Sequence, residues 1–174
     1  MSLSRCTFGI CLLVSALTLA GAGWAQTTKP ASPGHAILYG RAVSLLDQAQ
    51  QQLNTGNISA AKAQTKEANS LFTLLKNEYA SKLAEHELSP QEDQQLAINQ
   101  KLAADAQAQA DRLMETAAAQ DKKGQELETQ GREDASKASY RQSKDGYNRA
   151  QGLYIRSAIY ALRNQQMLFR FLAP

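Results

Sequence analysis

The chain has 174 residues, with 19 Lys and Arg against 16 Asp and Glu, a formal net charge of +3, two cysteines and two histidines. A charge this close to balance gives no electrostatic case for a polyanionic partner, and the cysteine and histidine counts leave little material for thiol, metal or imidazole chemistry.

The start, MSLSR, carries one cation, Arg5, and is followed by the apolar and small-residue run CTFGICLLVSALTLAGA. Ala20-Gly21-Ala22 and Gly23-Trp24-Ala25 then offer two A-x-A-like cleavage sites, the second just before Gln26. A charged start, a short apolar middle and a small-residue end predict a secretory signal peptide over residues 1–25. The run is only marginally long enough for a membrane anchor. Cys6 and Cys11 both lie in it, so the expected mature chain has no disulfide and no thiol ligand, and losing Arg5 lowers its charge to +2. Ile10 stands before Cys11 and the apolar run continues beyond it, unlike a lipidation site. The expected location is periplasmic or secreted, which argues against nucleic acid as a partner.

Residues 26–34, QTTKPASPG, read as a flexible linker, with Ser32-Pro33 suited to start a helix. Residues 35–174 are expected to form one domain, an antiparallel all-α bundle of three to four long helices with coiled-coil-like packing. The first helix is predicted over His35–Asn54, where Leu38, Ala42, Leu45 and Ala49 form a stripe that Ile37, Leu46 and Leu53 widen. Gly56 ends it. The second is predicted from Ile58 to Glu87, with Ile58, Ala61, Thr65, Ala68, Phe72, Leu75 and Tyr79 in unbroken heptads. Ser89, Pro90 and Glu92 form a capping-box pattern for a third helix. Its seam is Leu96, Asn99, Ala103, Ala106, Ala110, Leu113 and Ala117, and its expected stop is Lys122-Lys123-Gly124. Residues 124–131 read equally as loop or helix, and a fourth helix is predicted over Arg132–Leu172. Between Ala117 and Ala138 large apolar residues are scarce. That end is expected to be loosely held, to project, or to pack on another copy, leaving the stable core to the first two helices and the end of the fourth.

Residues 45–73 carry Leu45, Ala49, Gly56, Asn57, Ala61 and Ala68 at the spacing of a tetratricopeptide helical hairpin. The stretch resembles one such unit, although Thr73 stands at the closing proline position and no second copy follows. The resemblance implies small-residue packing of the hairpin at Gly56, Ala61 and Ala68. Leu88, Ser89 and Glu92 stand where periplasmic helical chaperones of the Spy and CpxP type carry L-T-x-x-Q, a thinner likeness, since two of the three motif positions differ.

No Glu-x-x-His, C-x-x-C-H, P-loop, G-x-G-x-x-G or G-x-S-x-G occurs in the chain. His35 sits at a helix start, His86 near a helix end suits a solvated position, Met114 and Met167 form no haem-like pair with either, and Glu133-Asp134 suits a helix N-terminus or solvated surface. The expectation is no catalytic residue, no metal and no cofactor.

The last helix is the most informative. Tyr140, Tyr147 and Tyr154 recur every seven residues, continued by Ala161 and Leu168. Arg149, Arg156, Arg163 and Arg170 recur every seven on the opposite side, offset by about 200° on the helical wheel. This predicts a tyrosine-led core stripe and an arginine face. The seven tyrosines and arginines are the candidate partner-binding residues, for an acidic envelope protein or an anionic membrane surface. A second copy of the chain is a further candidate partner, on the strength of the heptads. The expected function is a non-enzymatic exported binding protein, an adaptor, scaffold or chaperone-like factor. A cofactor- or metal-carrying bundle and a peripheral membrane-binding protein are the alternatives.

Overall fold

A computed structural model describes residues 33–85 and 88–173. The expected leader, most of the 26–34 segment and His86 lie outside the described residues. Among those described there are four α-helices and no strand: α1 Pro33–Asn54, α2 Ile58–Glu85, α3 Pro90–Thr129 and α4 Glu133–Leu168, then a short 3-10 turn, Arg170–Leu172. The chain is an all-α antiparallel bundle.

Local chemistry sets the ends of the helices. At the α1–α2 turn, Gly56 takes φ 80°, the left-handed region that a side chain disfavours. The turn lets Asn57 N–H reach Gln52 O at 2.8 Å and Gly56 N–H reach Leu53 O at 3.2 Å, pairing the last carbonyls of α1. Asn57 Oδ1 then accepts from Ala60 N–H at 3.3 Å and caps α2. At α3 the predicted capping box forms: Glu92 N–H donates to Ser89 Oγ at 3.3 Å and Ser89 N–H to Glu92 Oε2 at 2.9 Å.

The expected stop of α3 at Gly124 is wrong. The helix continues to Thr129, and the turn that ends it uses Gly131, at φ 70°. Arg132 N–H reaches Leu127 O at 3.0 Å and Gly131 N–H reaches Glu128 O at 3.0 Å. Gly124 is instead buried mid-helix, where a Cβ would lie 2.8 Å from the ring of Tyr140. Residues 124–131 are thus mostly helix.

The α2 heptads are buried as predicted, with Ala61, Ala68, Phe72 and Leu75 fully enclosed and Ile58 half-buried. The helix bends at Tyr79, whose backbone (φ −115°, ψ 20°) is not helical. In α1 the buried set is Tyr39, Ala42, Leu45, Leu46, Ala49 and Leu53. Ile37 faces out at 71 % exposure, against expectation, and Tyr39 takes its place, donating its hydroxyl to Gln166 O at 3.1 Å.

α4 is the central element. Its C-terminal half packs on α1 and α2 through Ile155, Ile159 and Leu162, and Phe169, just past its end, joins them. Another side packs on α3, and α3 packs on no other described helix. The α3 seam is the predicted one, with Asn99, Ala106, Ala110 and Ala117 buried and Gly124 and Leu127 extending it. The α4 side facing it departs from the tyrosine stripe: the buried residues are Ser136, Ser139, Ser143 and Ala150. Small residues win because the two helices lie very close. A Cβ on Gly146 would come within 3.0 Å of the Ala117 Cβ, and Ser136 Oγ donates to Gly124 O at 2.9 Å. Tyrosine rings do not fit such a seam, so Tyr140, Tyr147 and Tyr154 lie half-buried along its margins, and Ala161 is exposed.

The α1–α2 turn lies beside Gly152, the nearest neighbours of whose α-carbon face are Ile58 and Leu53. Both helices run from that turn toward the C-terminal end of α4, where Tyr39 meets Gln166 and Phe72 stacks on Phe169. The N-terminal part of α4 and its α3 partner therefore extend past the turn as a two-helix arm of about 16 residues a side, ~24 Å at ~1.5 Å per residue. The large fully buried side chains, Phe72, Phe169, Leu46, Leu75 and Ile159, are all on the other side of the turn.

Candidate functional site

Where the arm leaves the core, the tip of the α1–α2 hairpin and the α3–α4 pair enclose an open notch of about 660 Å³. Leu53 and Ile58 come from the tip, Leu113 from α3 and Leu153 from α4, and these make its apolar lining. Arg112 from α3 and Arg149 and Arg156 from α4 also line it. Arg149 and Arg156 are two helical turns apart on one face, ~10.5 Å along the axis. Arg112 comes from the antiparallel neighbour, at the level where Asp111 meets Tyr154.

None of the three guanidinium groups makes an ion pair or hydrogen bond among the described residues. Asp111, next to Arg112, is engaged by the Tyr154 hydroxyl instead. Glu115 and Asp145, one turn from Arg112 and Arg149, are exposed and close no bridge. Guanidinium does not lose its proton in proteins. The notch therefore presents three fixed positive charges around apolar surface.

The other two predicted arginines have a different setting. Arg163 is bound: its Nη2 lies 2.7 Å from Asp47 Oδ1 and its Nη1 donates to Gln166 Oε1 at 2.7 Å. With Arg170 it lines a second hollow of about 500 Å³ beside Tyr39, Asn99 and Met167. The heptad stripe of four arginines is thus divided between two places, and only its first half, with Arg112, forms an unpaired cluster. Arg112 lies one step off the alanine seam of α3, and its sequence neighbours give no sign that α4 brings two more arginines to it.

Two of the three heptad tyrosines, Tyr140 and Tyr154, act as struts, while Tyr147 makes no side-chain hydrogen bond among the described residues. The Tyr140 hydroxyl donates to Glu128 Oε2 at 2.8 Å and its pKa is raised, first by that bond. The Tyr154 hydroxyl donates to Asp111, and this bond, then burial, then the carboxylate charge, push its pKa up to about 12. Burial raises the Tyr39 phenol, against the opposing charge of Arg170. Gly56 stands exposed at the hairpin tip, while Ala61 and Ala68 are fully buried within the hairpin. Ala61 packs behind Leu53 and Ile58 of the notch, Ala68 lies in the core with Phe72 and Phe169, and neither lines the notch. His35 is also a structural contact, with Nδ1 2.6 Å from the Tyr79 hydroxyl and Nε2 2.6 Å from Glu78 Oε2.

Among the described residues no group of His, Cys, Asp and Glu side chains is arranged to hold a metal ion, and no helix is long and apolar enough to cross a membrane. Comparison of the chain with family models, with curated proteins and with solved structures finds no match.

Proposed function

We propose that this chain is an exported, non-enzymatic helical binding protein, serving as an adaptor, scaffold or chaperone-like factor of the cell envelope. One observation supports the reading above others: Arg112, Arg149 and Arg156 line an apolar notch and close no ion pair among the described residues. A partner carrying negative charge would meet three guanidinium groups that close no ion pair in the described chain. The apolar lining adds a term proportional to area, at ~25 cal/mol per Å² buried. The signal-peptide pattern of residues 1–25 supports export, and the tetratricopeptide-like spacing of residues 45–73 fits a binding scaffold.

The test is capture from native envelope extract on the immobilised protein. The wild type is expected to retain an envelope protein that the Arg149→Glu/Arg156→Glu variant releases, both having the same helical circular dichroism. An extract from which the two retain the same proteins would overturn the proposal.

A further inference from the structure

Resting on that reading, we propose that the notch receives one face of a helix from a partner protein, with carboxylates two turns apart and an apolar side chain between them. Three features of the site select this occupant. The cations are distributed: Arg149 and Arg156 are ~10.5 Å apart along α4, the same separation that residues i and i+7 have on an incoming helix. Arg112 reaches the notch from the other wall. A ligand with a single anionic group, such as a fatty acid, satisfies one of these positions and leaves the others unanswered. A helix with acids at i and i+7 answers α4, and a third acid one turn away answers Arg112.

The site is also concave. Its apolar residues, Leu53, Ile58, Leu113 and Leu153, come from all four helices around the notch. A planar bilayer surface reaches the rim of such a hollow and not its floor. A helix laid in a groove reaches the floor through residues i+3 and i+4, which share the face of i and i+7. Finally, the volume of about 660 Å³ lies within the range that encloses a drug-sized ligand, so it takes the few large side chains of one helix face rather than a whole domain. The cations then set orientation and recognition around that anchor.

The experiment selects from displayed random peptides of about 14 residues, long enough for a marginal helix. The wild-type protein is expected to enrich peptides with Asp or Glu at i and i+7 and Leu, Phe or Met at i+3 or i+4. In fluorescence anisotropy, at about 150 mM salt to screen diffuse attraction, Arg149→Glu/Arg156→Glu should weaken the best peptide by roughly tenfold or more. Arg132→Glu/Arg141→Glu, the same change of net charge on the arm away from the notch, should change it by less than about twofold. Enriched peptides without paired acids, or equal weakening by the two double variants, would overturn the inference. So would arginine-dependent binding of phosphatidylglycerol vesicles or dodecanoate with no peptide selected. A failed selection beside successful arginine-dependent capture removes the helical occupant and leaves the binding-protein reading standing. Successful selection beside failed capture keeps the helical occupant and overturns the envelope origin of the partner.

Discussion

Asn99 is 7 % exposed, and its amide is answered on both sides. Its Nδ2 donates to Asn164 Oδ1 at 2.8 Å and its Oδ1 accepts from Gln95 Nε2 at 3.1 Å, while Asn164 Nδ2 donates to Leu96 O at 3.3 Å. Removing one member strands a partly buried amide, so Asn164→Ala should lower stability by ~1–3 kcal/mol in urea unfolding. Asn99→Leu/Asn164→Leu removes both sides and should recover much of that loss; a double variant no more stable than the single one would show that the pair holds more than itself. Tyr154 makes the pH prediction. A phenol whose pKa is raised is held neutral by the fold. Its contribution is whole below the ordinary value of 10.0 and is lost as pH rises through about 12. Ultraviolet titration should show this tyrosine ionising late, and Asp111→Ala should bring it back toward the ordinary range; an unmoved titration would mean the bond to Asp111 is not the cause. Asn99 stood out in the sequence as a polar residue on an alanine seam. Neither Asn164 nor Asp111 did, because each acquires its role from a partner tens of residues away.

Gly124 shows why the elements were harder to bound than to detect. Lys122-Lys123-Gly124 has the local chemistry of a helix stop, yet the helix runs on to Thr129 and turns at Gly131. Tertiary packing decides, since Gly124 continues the series Ala110, Ala117 on the buried face and allows the Tyr140 ring to approach. Gly124→Ala would gain ~1 kcal/mol of helix propensity. It would also force a Cβ into that ring, at an overpacking cost of ~1–3 kcal/mol. The single variant should therefore be less stable than wild type by thermal unfolding. In a Tyr140→Ala background the clash is gone, and the same substitution should stabilise by ~1 kcal/mol. Loss of stability in both backgrounds would mean that the Tyr140 ring is not what limits the site. The tyrosine heptad misled for a related reason. Large residues are normally the guide to a core, but two helices this close select serine, alanine and glycine, as Ser136, Ser139, Ser143 and Gly146 do. The α2 heptads and the Ser89–Glu92 cap were legible because each is decided within a few turns of the chain.

For the whole molecule, the unequal supply of large apolar residues separates a packed end from an arm. α1, α2 and the end of α4 hold Phe72, Phe169, Leu46, Leu75 and Ile159 fully buried. The arm beyond the notch is closed by small residues, each burying far less apolar area, and so drawing less from a driving force of ~25 cal/mol per Å². The sequence foretold this scarcity, and projection was one of the outcomes it allowed; the close α3–α4 seam that makes an arm of such residues workable was not legible. Opening the arm need not disturb the core, because α3 packs on no described helix but α4. Native-state hydrogen exchange should therefore show residues 117–143 opening at a lower free energy than Ala68–Leu75. Equal protection across both would mean that the arm and core unfold as one unit. Arg112, Leu113 and Arg149 lie at the root of the arm, where it joins the core. A helix seated in the notch bridges α3, α4 and the α1–α2 tip, so the peptide selected above should raise protection along the arm as well as at the notch, through linkage between binding and opening.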